Sequence, residues 1–131
     1  MELDGELNEL SRRVIGAAIE VHRVLGPGYL ESVYEEALAV ELTLQGVACD
    51  RQMPMSIEYK GRAVGEGRLD LLVNGALVVE LKTVEQLLPI HHAQLLSYLK
   101  ATRKQLGLLI NFNTRVLRDG VKRVVLSVVD S

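Results

Sequence analysis

The chain reads as one α/β domain, a central mixed β-sheet flanked by helices, in the order helix, helix, three strands, helix, strand, strand (ααβββαββ). Three observations predict it. Apolar residues recur every three or four positions from Leu7 to Leu42. Short runs broken by turn residues follow from 47 to 82, and a helical stretch then precedes two further apolar runs. At 131 residues the chain, residues 1–131, has the usual size of one domain, with residues 1–6 expected to form a flexible N-terminus.

In the first helix Leu7, Leu10, Val14, Ala17, Ala18, Val21 and Leu25 share one face. Gly26-Pro27-Gly28 stops it, because proline disfavours helical geometry in the residue before it and glycine permits the reversal. A second helix starts near Leu30. Its predicted buried stripe is Leu30, Val33, Tyr34, Ala37, Leu38 and Leu42, with Glu41 as a charged exception. Glu31, Glu35 and Glu36 suit the positive end of its dipole, and Gly46 suits its stop.

An antiparallel meander follows at 47–53, 55–59, 62–73 and 76–82, divided by Lys60-Gly61 and Asn74-Gly75 turns. Pro89 opens the third helix, through Leu95, Leu96, Leu99 and Lys100. Leu106 to Phe112 reads as a buried strand, and Lys122 to Val128, after the Asp119-Gly120 turn, as the last one.

Composition removes several function classes. No apolar run is long enough to span a bilayer and no basic-then-apolar leader is present, so neither a membrane nor a secreted chain is expected. The single cysteine, Cys49, has no internal partner and no zinc-site spacing, which points to a reducing compartment, the cytoplasm being the simplest. Net charge is -2, yet residues 1–81 carry 7 Lys/Arg against 14 Asp/Glu and residues 82–131 carry 8 against 3. Aromatics are only 4%, too few for base-stacking platforms to supply most of an affinity for single strands.

Charged residues rarely enter strongly apolar strands without a reason, and Asp70, Glu80 and Lys82 do so at the ends of a predicted hairpin. Side chains alternate along a strand, so Glu80 and Lys82 share a face. A two-residue Asn74-Gly75 loop would turn Asp70 away from Glu80. A three-residue loop, Val73 to Gly75, pairs Leu72 with Ala76 and Asp70 with Val78 and puts Asp70, Glu80 and Lys82 together. The opposite face is then apolar throughout: Leu69, Leu71, Val73, Leu77, Val79 and Leu81. This register is the predicted one.

Two converging carboxylates beside a lysine can hold a hard divalent cation, magnesium first and manganese as a substitute. Asp70, Glu80 and the Leu81 carbonyl would be ligands, and Lys82 would orient a water or stabilise a phosphate. Equally, this spacing serves a strand-end salt bridge of Lys82 with Glu80 or Asp70.

Asp70, nine residues, then Glu80-Leu81-Lys82 resembles the D…E-x-K signature of the PD-(D/E)XK nuclease superfamily, whose restriction-endonuclease-like core has the same element order. More narrowly, Gly28-Tyr29-Leu30-Glu31-Ser32-Val33-Tyr34, together with Leu69 to Val73, Val79 to Lys82 and Leu108 to Phe112, is similar to the small bacterial GxxExxY proteins over residues 7 to about 126. The resemblance implies a role for Glu31 as a helix-borne acid completing the metal site. It also makes Gln94-Leu95-Leu96-Ser97-Tyr98 similar to the Q-x-x-x-Y motif of RecB-type exonucleases. Gln94 and Tyr98 lie one turn apart and could contact a phosphate or base, or Tyr98 could pack in the core.

Of the adjacent His91 and His92, His91 fits the family pattern better, and both cannot reach one site. Arg68 should share the strand face of Asp70 and lie buried near the site, clamping a phosphate or neutralising the acids. Lys100, Arg103, Lys104, Arg115, Arg118, Lys122 and Arg123 form a basic tract that suits a DNA backbone or a solvated face. Two functions are therefore expected to compete. One is a magnesium-dependent nuclease acting on DNA; the other is a nuclease-fold binding or assembly module without turnover. A homodimer would let so short a chain reach both strands of a duplex.

Overall fold

The computed structural model describes residues 5–127. Helix α1 spans Gly5–Leu25, α2 Glu31–Leu44 and α3 Pro89–Thr102. The strands are β1 (Cys49–Tyr59), β2 (Arg62–Val73), β3 (Leu77–Lys82), β4 (Leu106–Asn111) and β5 (Val121–Val125). They form one sheet in chain order. It is mixed, as expected: β3 and β4 run parallel, with α3 as their crossover, and the other neighbours run antiparallel.

Gly5 and Glu6, expected in a flexible N-terminus, already belong to α1; the rest of that segment, and Val128 of the expected last strand, lie outside the described residues. The runs 47–53 and 55–59 are one strand passing through Pro54. Proline is tolerated there because β1 is the edge of the sheet, where an amide need not serve a second neighbour.

Helices α1 and α2 cover one face of the sheet, where Val14, Ala18, Tyr34 and Leu38 meet Leu71, Val79 and Leu108. Helix α3 covers the other, with Leu95 and Leu99 against Leu72, Val78 and Leu109. Gly107 makes the α3 docking possible, since a Cβ there would lie 2.9 Å from a Leu95 methyl. The buried stripe of α2 differs from expectation. Leu30 is 76% exposed and Val33 lies at the surface, whereas Glu35 points inward at 9%. Leu30 is the N-cap residue, extended and outside the helix, so it falls off the helical stripe.

Tyr34 explains the geometry ahead of α2. Its ring stacks on Phe112 at 4.5 Å, and its hydroxyl donates to the Gly26 carbonyl at 2.6 Å while accepting the Tyr29 amide at 3.1 Å. Gly28, at φ +112°, supplies the reversal that a side chain would resist. The segment that delivers Glu31 is thereby fastened to the core.

The β2–β3 hairpin has the expected parity, with its pairing shifted by two residues. Leu72 pairs with Val78 and Val73 with Leu77, so the three-residue loop is Asn74 to Ala76 rather than Val73 to Gly75. Asn74 and Gly75 are both left-handed, at φ 52° and 66°, and the Ala76 amide closes on the Val73 carbonyl at 3.0 Å. That turn geometry starts one residue later than assumed, which carries every pair with it.

One strand departs from simple alternation. Leu71 and Val73 face α1 and α2, but Leu69 packs with α3. The inversion occurs across Asp70, opposite Gln52, where β1 interrupts its ladder between the pairs Arg51–Leu71 and Met53–Leu69. Arg68, predicted beside Asp70 and buried, is consequently turned to the opposite side of the strand from Leu69 and is exposed.

Candidate active site

The β2–β3 ladder stops at Leu71–Val79, and the next two residues are Asp70 and Glu80. Their side chains bridge the gap left by the missing ladder bonds. The Asp70 amide donates to Glu80 Oε2 at 2.7 Å, and the Leu81 amide donates to Asp70 Oδ2 at 2.8 Å. Each carboxylate thus caps the other strand with one oxygen and keeps one for other partners. In an extended strand the N–H and C=O of one residue turn to the same edge, so the Leu81 carbonyl opens on the side where Asp70 lies.

Burial and proximity shape the charge here. Glu80 is 5% exposed, and burial first, then the Asp70 charge, pushes its carboxyl up to about 8 against the bond from the Asp70 amide. Burial also raises Asp70, partly offset by the Leu81 amide, with Glu35 raising it further. Glu31 is raised by burial and then by Asp70, while Lys82 pulls it down. The three acids therefore lie within electrostatic reach, and the Asp70 charge resists ionisation of Glu31 and Glu80.

Lys82 makes no ion pair with Asp70 or Glu80; the side-chain ion pairs among the described residues lie elsewhere. Its Nζ donates instead to Gln94 Oε1 at 3.3 Å, and Gln94 Nε2 donates to the Tyr98 hydroxyl at 3.0 Å. The Tyr98 ring packs in the α3-side cluster. Burial raises its hydroxyl, and the charges of Glu80 and Asp70 raise it further. The Tyr98 ring thus takes the core setting that was one of its two expectations, while its hydroxyl accepts from Gln94.

Other predicted residues are placed differently. The His91 Nδ1 accepts the Leu88 amide at 3.0 Å and so caps the start of α3, an amide that the helix leaves without a partner. His92 is exposed. The basic tract divides over the two sheet faces. Lys100 and Arg103 line a groove of about 660 Å³ between α3 and the β1 edge. Arg118 lines a hollow against α1 with Arg12, and Arg123 bonds Asn8 of α1. Arg115 and Lys122 are exposed and Lys104 half-buried.

Three residues around the site have no site role in the sequence analysis. Glu35 bonds Arg51 and Gln52; its signal was its place one turn beyond Glu31 on the same helix face. Gln52 lies opposite Asp70 at the break in the β1–β2 ladder and bonds Glu35, and nothing local in the sequence announces it. Asn111, 2% exposed, binds both the amide and the carbonyl of Val84. It fixes the segment between Lys82 and α3.

Among the described residues no three His, Cys, Asp or Glu side chains form a ready-made metal cage. Magnesium, however, is commonly held by one or two carboxylates with waters and substrate oxygens completing its shell. The carboxylate oxygens of Asp70 and Glu80 not used in capping, with a backbone carbonyl beside them, match that demand. Glu31 stands alongside, coupled through charge.

The sequence profile of the PD-(D/E)XK nuclease superfamily matches residues 8–124. The chain belongs to that superfamily. The alkaline exonuclease LHK-Exo from Laribacter hongkongensis has a crystal structure similar to this one, with a TM-score of 0.54 and 13% identity over 97% of this chain and 73% of that one. The crystal structure of SSO0001 matches with a TM-score of 0.48 and 15% identity over 91% of this chain and 78% of that one. No curated protein matches the chain. At 13% identity the likeness to LHK-Exo concerns the fold, which is the restriction-endonuclease-like core with helices on both faces of a mixed sheet. PD-(D/E)XK nucleases generally use divalent metal ions. No described helix is long and apolar enough to cross a membrane.

Proposed function

We propose that the protein is a divalent-metal-dependent deoxyribonuclease of the GxxExxY group, with Asp70 and Glu80 holding magnesium or manganese and Glu31 adding negative charge beside them. The observation that carries this reading is the mutual capping of Asp70 and Glu80, which fixes two carboxylates in a gap that neither leaves by rotating. A structural ion pair would have engaged Lys82, and it does not. A bound cation would supply Lewis-acid activation of water and of the scissile phosphate.

Around it, this chain's residues have distinct tasks. Lys82, steadied by Gln94, presents its ammonium where a phosphate oxygen or an attacking water would be oriented. Gln94 and Tyr98 offer an amide and a hydroxyl to the same phosphate. Lys100 and Arg103 in the α3–β1 groove suit the backbone of one strand, while Arg115 and Arg118 on the other side suit a second contact. A reducing compartment such as the cytoplasm suits the lone thiol Cys49, and a two-fold dimer would present two sites to one duplex.

The test is cleavage of linear, circular and single-stranded DNA with magnesium or manganese, beside Asp70→Ala and Lys82→Ala. Metal-dependent products lost in both variants support the nuclease. Metal binding lost in Asp70→Ala with no cleavage by the parent overturns it in favour of a binding or assembly module.

A further inference from the structure

Gln52 is the β1 residue whose backbone least suits a strand. Its φ is 51°, in the left-handed region that residues with side chains enter rarely. No turn requires this, because β1 continues on both sides. What lies opposite is Asp70, at the break between the pairs Arg51–Leu71 and Met53–Leu69.

The side chain accounts for the conformation. Gln52 Nε2 donates to Glu35 Oε1 at 2.6 Å, and from its place opposite Asp70 the side chain also favours the charged form of that carboxylate. An amide nitrogen carries two hydrogens; Glu35 takes one, and the other is left for the acid opposite. Glu35 is itself fixed, receiving Arg51 Nε at 3.2 Å and Nη2 at 3.0 Å, while Arg51 also binds Glu36. A chain of contacts therefore runs from α2 through Gln52 to the acid at the end of the β2–β3 ladder.

We infer that Gln52 is a positioning residue whose left-handed backbone aims one amide nitrogen between Glu35 and Asp70, holding Asp70 at the angle where its Oδ2 meets the Leu81 amide. Asparagine tolerates the backbone better but is a methylene shorter, and glutamate has the length without the donors. Only the consequence for metal binding rests on the proposed nuclease function; the positioning itself is read from Leu81.

Two variants separate backbone from side chain. Gln52→Gly relieves the positive φ and removes the amide, and Gln52→Met keeps the length without donors. In metal-free protein, Gln52→Gly is expected to keep or raise Tm while the Leu81 amide exchanges with solvent at least about tenfold faster and shifts in its NMR spectrum. Amides of Leu108 to Ile110 should not change. Gln52→Met should show the same Leu81 response, and in both variants the Kd for Mn2+ should rise about threefold to tenfold, from the lost orientation of a ligand. An unchanged Leu81 amide in both variants overturns the inference. If the parent protein binds no Mn2+, the metal reading of the site fails separately, and the Leu81 amide still decides for or against Gln52.

Discussion

Asp70 and Glu80 satisfy each other's strands: the Asp70 amide is held by the Glu80 carboxylate, and the Leu81 amide beside Glu80 is held by the Asp70 carboxylate. Two acids are thereby kept side by side in a buried gap. Burial first, and then the Asp70 charge, disfavours the ionised form of Glu80.

Glu80 holds its proton up to about 8 in the folded chain, against an ordinary value of 4.5. The folded state therefore binds more protons than the unfolded one between those values, and metal-free stability falls as pH rises through that window. Asp70 and Glu31, also raised, act in the same direction. Glu80→Gln keeps an acceptor for the Asp70 amide without the charge. Its Tm at pH 8 should exceed the parent's by on the order of 5 °C, with little difference at pH 4.5. A variant as pH-sensitive as its parent would show that Glu80 is not the group responsible.

Lys82→Ala should separate folding from chemistry. The side chain makes one exposed hydrogen bond, to Gln94, so stability should change by no more than about 0.5 kcal/mol. Metal-dependent cleavage of DNA should fall on the order of a hundredfold or more, as expected when a charged group at a reacting phosphate is removed. Parent-like cleavage in a folded Lys82→Ala protein would remove Lys82 from the reaction.

Tyr34→Phe tests the last residue of the G-x-x-E-x-x-Y pattern. The ring and its Phe112 stack remain, but the Gly26 carbonyl and the Tyr29 amide lose their shared partner. Urea unfolding should show a loss of about 1–2 kcal/mol at unchanged m-value. No loss would mean that the 26–30 segment is held by other contacts.

Asn111→Leu should have the larger effect. The buried amide serves the Val84 N–H at 3.1 Å, the Val84 carbonyl at 2.9 Å and the Asn113 N–H at 3.2 Å. Leucine leaves these groups without that partner, at a cost of about 2–3 kcal/mol. Amide exchange at Val84 should quicken with it. Retained protection there would refute the proposed anchoring of the Lys82–α3 connection.

The order of elements, both helix-covered faces and the even register of the hairpin are legible in the sequence, because each rests on local period and on the requirement that one strand face be apolar. Asp70, Glu80 and Lys82 stand out for the same reason: charge inside apolar strands calls for a partner, whether an ion pair or a bound cation. Tertiary structure alone decides the rest. Whether Lys82 pairs with an acid or with Gln94 depends on where α3 docks, which the fit of Leu95 over Gly107 sets. Whether Arg68 reaches the site depends on the inversion of side-chain direction across Asp70, and that arises from a left-handed Gln52 on the neighbouring strand. Periodicity describes one strand at a time, whereas this break belongs to a pair of strands braced by a helix, so it becomes visible only when all three are in place.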